Sequence, residues 1–243
     1  VQSEIINLYN STISFPLIKN TEKNISYLTP KFSFNFNPSD MKDHSSSIKK
    51  MDVGSLFNIN RLGLEDSFES GESLTIGLDF KKENKIDDIN KYFQLKLATV
   101  LRSQEEKFIP KTSTLNRKSS NIFGSVEANI SKNINFDYNF AVDNDVRSFE
   151  YNNFNANISI NNLVTTFSFI EENGEMGDAN VISSKIGYKV DDNNFITFNT
   201  RRNRKINLTE YYDLVYEYKN DCLTAGIKYK KSYYADNDVQ PTE

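Results

Sequence analysis

From residue 122 to residue 234 the chain repeats one pattern: an alternating apolar–polar block, a short turn, a second block, then a longer gap. Blocks 122–130 and 134–142 flank Ser131-Lys132-Asn133, and blocks 154–160 and 163–169 flank Asn161-Asn162. Blocks 182–190 and 195–201 flank residues 191–194, and blocks 211–219 and 222–233 flank Asn220-Asp221. In residues 134–142 one side carries Ile134, Phe136, Tyr138, Phe140 and Val142, and the other Asn135, Asp137, Asn139 and Ala141. A period of two sends successive side chains to opposite faces of a strand. Short and long connections in strict rotation predict an antiparallel up-and-down β-meander.

The amino-terminal half follows the same rule less strictly. Residues 73–80 alternate cleanly, with Leu74, Ile76, Leu78 and Phe80 on one face, and residues 92–102 return as a strand. Residues 5–15 and 27–36 are strand-like, but Pro16, Pro30 and Pro38 punctuate them. Proline has no N–H for a ladder, so these strands should be edge-like, bulged or cut short. Segments 41–51, with His44, and 103–120 read as long polar loops, the first as flexible and without chemistry.

A soluble β-sandwich also alternates. Two features favour a membrane barrel. The predicted strands of the carboxy-terminal half run to roughly 9–11 residues, long enough to cross the hydrocarbon at a tilt. Aromatics also crowd strand ends, at Tyr211, Tyr212, Tyr218, Tyr233 and Tyr234, as an interfacial girdle would. Mean hydropathy is -0.59 and no run is apolar enough for a transmembrane helix, but a barrel strand offers only every second residue to lipid. Outside a membrane, the alternative is a soluble or surface-exposed β-sheet binding module.

Composition narrows the function. A net charge of -4 argues against nucleic-acid binding. One histidine and one cysteine leave no internal disulfide, no histidine metal site and no Ser-His-Asp triad. Neither a nucleophile elbow nor a phosphate loop nor a paired acid–base constellation is present, so no enzyme and no cofactor is expected. Glu65, Asp66 and Glu69 lack the regular ladder of a calcium loop and read as a polar loop. The chain opens at Val1 without a signal-peptide pattern and closes at Pro241-Thr242-Glu243, which suggests a piece of a larger protein.

Several segments carry a family resemblance. Asn60-Arg61-Leu62-Gly63-Leu64-Glu65-Asp66, with Gly71 and Gly77 after it, resembles a glycine- and arginine-bearing segment of the LptD (OstA) family of outer-membrane lipopolysaccharide-assembly proteins. Segments 97–102, 109–116, 119–126, 218–229, 231–233 and 236–241 look like the alphaproteobacterial branch. Leu62 stands where the family usually has an aromatic. The resemblance implies that residues 1–243 are the carboxy-terminal portion of a very large barrel of about 26 strands. A periplasmic jellyroll and the closing strand would lie outside the chain. It also implies lipopolysaccharide as cargo, release through a lateral opening, an LptE-like lipoprotein plug, and an LptA-like periplasmic bridge reached through the absent amino-terminal domain. A general diffusion porin is the other barrel reading.

Three groups of residues stand out within this frame. The resemblance implies that Cys222 forms a disulfide with the absent amino-terminal region, in the oxidising periplasm. Its parity with Thr224, Gly226 and Lys228 turns it to the lumen. Arg201, Arg202, Arg204 and Lys205 form the densest basic cluster, on a connection expected to be extracellular. Guanidinium groups pair bidentately with phosphate, which suits a lipopolysaccharide contact; a merely solvated charged loop is the alternative. Asp137, Asp213, Glu217, Lys228 and Lys230 lie on polar faces and are expected to line a hydrophilic lumen.

Overall fold

The computed structural model describes residues 6–86 and 91–233. Tyr234 and segment 236–241 lie outside the described residues.

Thirteen strands form one antiparallel sheet. They are β1 (Tyr9–Ser14), β2 (Leu17–Asn20), β3 (Asn24–Asn37), β4 (Gly71–Asn84), β5 (Tyr92–Arg102), β6 (Ile122–Ser131), β7 (Ile134–Val142), β8 (Phe149–Ile160), β9 (Leu163–Glu172), β10 (Asn180–Lys189), β11 (Asn194–Asn203), β12 (Leu208–Lys219) and β13 (Thr224–Ser232). From β3 onwards each strand pairs with the next in sequence, as a meander requires. No pairing joins β13 to β1 among the described residues, so the sheet is not closed.

The prolines act where the sequence placed them. Pro16 separates β1 from β2, and both pair with β3 as one interrupted edge strand. Pro30 falls opposite the break, its carbonyl accepting from the Phe15 N–H at 3.0 Å. β3 stops at Asn37, immediately before Pro38, as expected, but at Pro30 the expectation of a shortened or edge-like strand fails. It runs through Pro30 and pairs on both sides, because the missing N–H coincides with a gap in its neighbour.

Burial is inverted relative to a soluble sheet. On β3, Ser33, Asn35 and Asn37 are buried while Phe32 and Phe34 are exposed, Ser33 at 0% against Phe34 at 47%. On β4, Ser73, Thr75 and Gly77 are covered while Leu78 is exposed. The same apolar face continues through Ile186, Ile196, Phe198, Leu214, Tyr216, Ile227 and Tyr229. Water would drive such a face inward at roughly 25 cal/mol per Å² of apolar surface, so this surface belongs against lipid. Aromatic rings tile it: Phe136 lies 6.0 Å from Phe154, and Phe154 lies 6.1 Å from Phe167. Among the described residues no helix is long and apolar enough to cross a membrane.

The polar face of β3–β8 is covered by the chain itself. Segments 38–70 and 103–121, which include the expected polar loops 41–51 and 103–120, fold back onto it as a plug. Met41, Met51, Val53, Leu56, Leu62, Ile109, Leu115 and Met176 pack with Ala98, Val100, Phe123 and Ala141 of the wall in one small apolar core. The two segments interlock through hydrogen bonds: His44 N–H donates to the Phe108 carbonyl at 2.9 Å, and Lys49 N–H donates to the Thr112 side-chain Oγ1 at 2.8 Å. Segment 41–51 is therefore a structural tie, which corrects its reading as a flexible loop.

Candidate functional site: a plugged and polar inner face

Turn chemistry sets which end of the sheet carries the long loops. Connections at 132–133, 161–162, 190–193 and 220–223 lie at one end, and those at 143–148, 173–179 and 204–207 join the two plug segments at the opposite end; the last, expected to be long, is only a four-residue turn because β11 and β12 run on to Asn203 and from Leu208. Asn161 adopts φ 51°, the left-handed conformation a two-residue hairpin turn needs and asparagine tolerates.

The plug is anchored by charge. Arg61 and Arg102 converge on Glu69, their side chains 1%, 2% and 12% exposed. Arg61 Nε donates to Glu69 Oε2 at 2.6 Å and Arg61 Nη2 to Oε1 at 2.5 Å, while Arg102 Nη1 reaches the same Oε1. Spare donors go to the wall: Arg61 Nη1 to Thr75 Oγ1 and Arg61 Nη2 to Ser73 Oγ, both at 2.8 Å. Arg102 Nη2 donates to the Ser70 carbonyl. Burial alone would raise the Glu69 carboxyl pKa, but Arg61 and then Arg102 outweigh it and hold it below the ordinary range. Of the acidic trio, Asp66 instead faces Lys42 Nζ at 3.3 Å and His44 Nε2 at 3.0 Å. Sequence reasoning missed the Arg61–Glu69–Arg102 network. Arg61 and Arg102 each lay inside a family-like segment, but they stand far apart along the chain and nothing in the sequence paired them.

Beyond the plug, the inner face of β9–β13 is bare. A shallow groove of about 500 Å³ there is lined by Lys185, Asn199, Tyr211, Asp213, Lys228 and Lys230 among others. Asp213 is held by Asn199 Nδ2 at 2.6 Å and Lys228 Nζ at 3.0 Å. Lys230, opposite Asp213 in the register, lies 5.3 Å over the Tyr211 ring. Glu217 has the same parity on β12 and is exposed. Asp137, on the inner face of β7, accepts from Asn155 Nδ2 at 2.9 Å. These five predicted residues share one face but not one site, since Asp137 belongs to the β7–β8 wall. Tyr211 is turned inward with Asp213, which corrects its place in the girdle. Tyr212 stays outward, its hydroxyl 2.6 Å from that of Tyr233.

The structure disperses the basic cluster. Arg201 Nε pairs with Glu210 at 2.6 Å, and Lys205 pairs with Asp178. Arg202 Nη2 donates to Asn207 Oδ1 at 2.5 Å, and Arg204 lies 5.8 Å over the Phe169 ring. A register shift falls between Arg201 and Arg202. Cys222 is exposed in the turn before β13, outside the strand whose parity gave its direction. Asn220 Oδ1 shapes that turn by accepting from the N–H groups of Cys222 at 3.0 Å and Leu223 at 2.8 Å.

Comparison with known proteins adds an independent line. Residues 2–181 match the family model described as LptD, LPS transport system D. A search of curated proteins gave no match. Solved structures with a similar course include mutants of the Rh. blastica porin. One gives a TM-score of 0.37 at 10% identity and another 0.38 at 11%, each over 95% of this chain and 86% of the porin.

Proposed function

The chain belongs to the LptD family of lipopolysaccharide transport proteins of the outer membrane, and from that premise we propose that it forms part of a barrel passing lipopolysaccharide to the outer leaflet through a lateral opening. The observation that carries this reading is the inverted sheet, with a hydrophilic wall for sugars and an apolar face for lipid. On this reading residues 1–243 are the carboxy-terminal portion of a larger barrel. The edges at β1 and β13, unpaired among the described residues, leave room for further strands. An LptE-like lipoprotein occupies the lumen beside the bare β9–β13 wall, and an LptA-like bridge delivers cargo through an amino-terminal domain. Cys222, accessible in its turn, pairs with a cysteine of that domain. The short turns face the periplasm and the long loops face outward. Members of the basic cluster meet the phosphates of the cargo. The bare wall, with Asp213, Glu217, Lys228 and Lys230, and Asp137 beyond it, contributes polarity rather than individual contacts.

The test is site-specific photocrosslinking in cells, with the probe at Lys185 on the bare wall or at Ile186 on the lipid face. Lipopolysaccharide adducts at Lys185 that vanish when cargo supply is blocked are expected. Absence of luminal adducts, together with steady ion conductance of the purified protein in planar bilayers, would replace the transporter by a diffusion porin.

A further inference from the structure

Arg202 and Arg204 stand apart from the rest of their cluster because of the face they occupy. On β11 Arg201 aligns with Ser183 and Tyr211, on the side of the polar groove. Arg202, one residue on, aligns with Ile182 of β10, and Ile182 aligns with Phe169 of β9, which aligns with Phe154 of β8. Arg202 thus ends a cross-strand row of apolar residues on the lipid-facing side. Arg204, in the connection at 204–207, lies over Phe169 of the same row. Ile182, Arg202, Arg204 and Asn207 line one groove of about 370 Å³.

The charges in this groove are uncompensated. Arg201 and Lys205 each have a carboxylate, Glu210 and Asp178. Among the described residues Arg202 and Arg204 have none: one is held by an amide oxygen and the other by a ring. Glu171 shares their face, but it accepts from Asn152 Nδ2 at 3.2 Å and Asn180 Nδ2 at 3.0 Å. Guanidinium groups at the edge of a lipid-facing apolar face belong at headgroup depth, where long cationic side chains lay their stems over hydrocarbon and turn their heads towards water. A phosphate oxygen pair matches the guanidinium fork. Ile182 and Phe169 beside it offer nothing to a free anion but pack against the first methylenes of an acyl chain.

We propose that Arg202 and Arg204 form a seat on the lipid side of the barrel for the phosphate of a membrane lipid headgroup. It rests on the reading of the basic cluster as a lipid-phosphate contact, narrows that contact from four residues to two, and places it on the lipid-facing side of the rim. The full chain in detergent micelles is titrated with bisphosphorylated lipid A, with its dephosphorylated form and with inorganic phosphate, and bound lipid is counted by native mass spectrometry. Arg202→Gln with Arg204→Gln should lose phosphorylated lipid by on the order of tenfold or more, since each guanidinium removed deletes a charge-assisted contact. Arg201→Gln with Lys205→Gln should keep it. Arg202→Lys with Arg204→Lys, which retains charge and fold, should fall between, because lysine lacks the fork. Equal retention by all variants overturns the proposal, as does an equal loss in the Arg201 and Lys205 pair. Displacement of the lipid by millimolar inorganic phosphate overturns it in favour of a free-anion site. Arg202 and Arg204 lie off the bare wall, so failure of their variants leaves the luminal crosslinking result, and the transport reading, standing.

Discussion

Replacing Glu69 by glutamine should free the plug from the wall while leaving the sheet intact. In the native structure one carboxylate serves two guanidiniums that water barely reaches, with side chains 1% and 2% exposed. Glutamine keeps the shape but removes the charge, so Arg61 and Arg102 then repel each other across an uncompensated buried site. Breaking a buried pair by removing one partner costs about 3–5 kcal/mol. The Arg61 bonds to Ser73, Thr75 and the Leu56 carbonyl survive, which puts the change at the lower end. A shift of about 3 kcal/mol raises the local opening constant by on the order of a hundredfold. Hydrogen exchange in detergent micelles reads this directly. Peptides spanning residues 41–62 should lose protection, whereas peptides from β9–β13 should not change. Glu65→Gln, at an exposed position of the same segment, should leave every peptide at its native rate. Native exchange of the plug peptides in the Glu69 variant would show that the apolar core alone holds the plug.

The same carboxylate predicts a pH response. Its folded pKa lies below the ordinary value of 4.5, so its stabilisation is complete above that value and disappears as pH falls through the depressed one. Plug protection in the native chain and in the Glu69 variant should therefore differ at neutral pH and converge in strong acid. Gly77 lies under the Phe57 ring, and a Cβ there would meet Phe57 Cζ at 2.6 Å and the Leu97 carbonyl at 3.0 Å. Gly77→Val should displace Phe57 at a cost of about 1–3 kcal/mol, seen as faster exchange at residues 55–57. Asn161→Gly should leave thermal unfolding of the barrel within about 0.5 kcal/mol, whereas Asn161→Val, forced to the same positive φ, should lower it by about 1–2 kcal/mol. Cys222 should react readily with a maleimide in this chain and resist it in the full-length oxidised protein, and equal labelling in both would remove the proposed disulfide.

Alternation made the strands legible, and its limits explain the errors. Residues 92–102 and 134–142 are bounded by turn and loop residues, and the strands have those limits. The strand expected at 154–160 begins at Phe149, because Glu150, Asn152 and Asn153 look like loop residues until the face they occupy is known. In this sheet Asn153 sits on a polar wall opposite Asn139, where asparagine is at home. The plug could not be read in the same way. Met41, Met51, Leu56, Leu62, Ile109 and Leu115 follow no period, since what buries them is a wall formed by other strands. A stretch without periodicity gives no sign of burial when its partner surface is supplied from elsewhere in the chain. The basic cluster shows the reverse case. Four cations within five residues looked like one site, yet strand alternation already separates Arg201 from Arg202, and the carboxylates that neutralise Arg201 and Lys205 come from β12 and the β9–β10 connection.

The inner face is thus divided between a half that the chain closes for itself and a half that it leaves open. Where the plug sits, small or apolar wall residues such as Ala98, Val100 and Ala141 meet it, and the buried charges are fixed in one network. Where the wall is bare, Lys185 and Lys228 are exposed and Asp213 is fixed beneath them. Sugar hydroxyls bind by exchanging hydrogen bonds with such exposed polar groups at little net cost, whereas entry into the plugged half would require breaking the Glu69 network. The cargo path proposed for this chain therefore follows β9–β13. A probe at Ala98, beneath the plug, should give no lipopolysaccharide adduct in the native protein and should gain one only when Glu69→Gln loosens the cover. Adducts at Ala98 in the native protein would place the path through the plug and contradict that division.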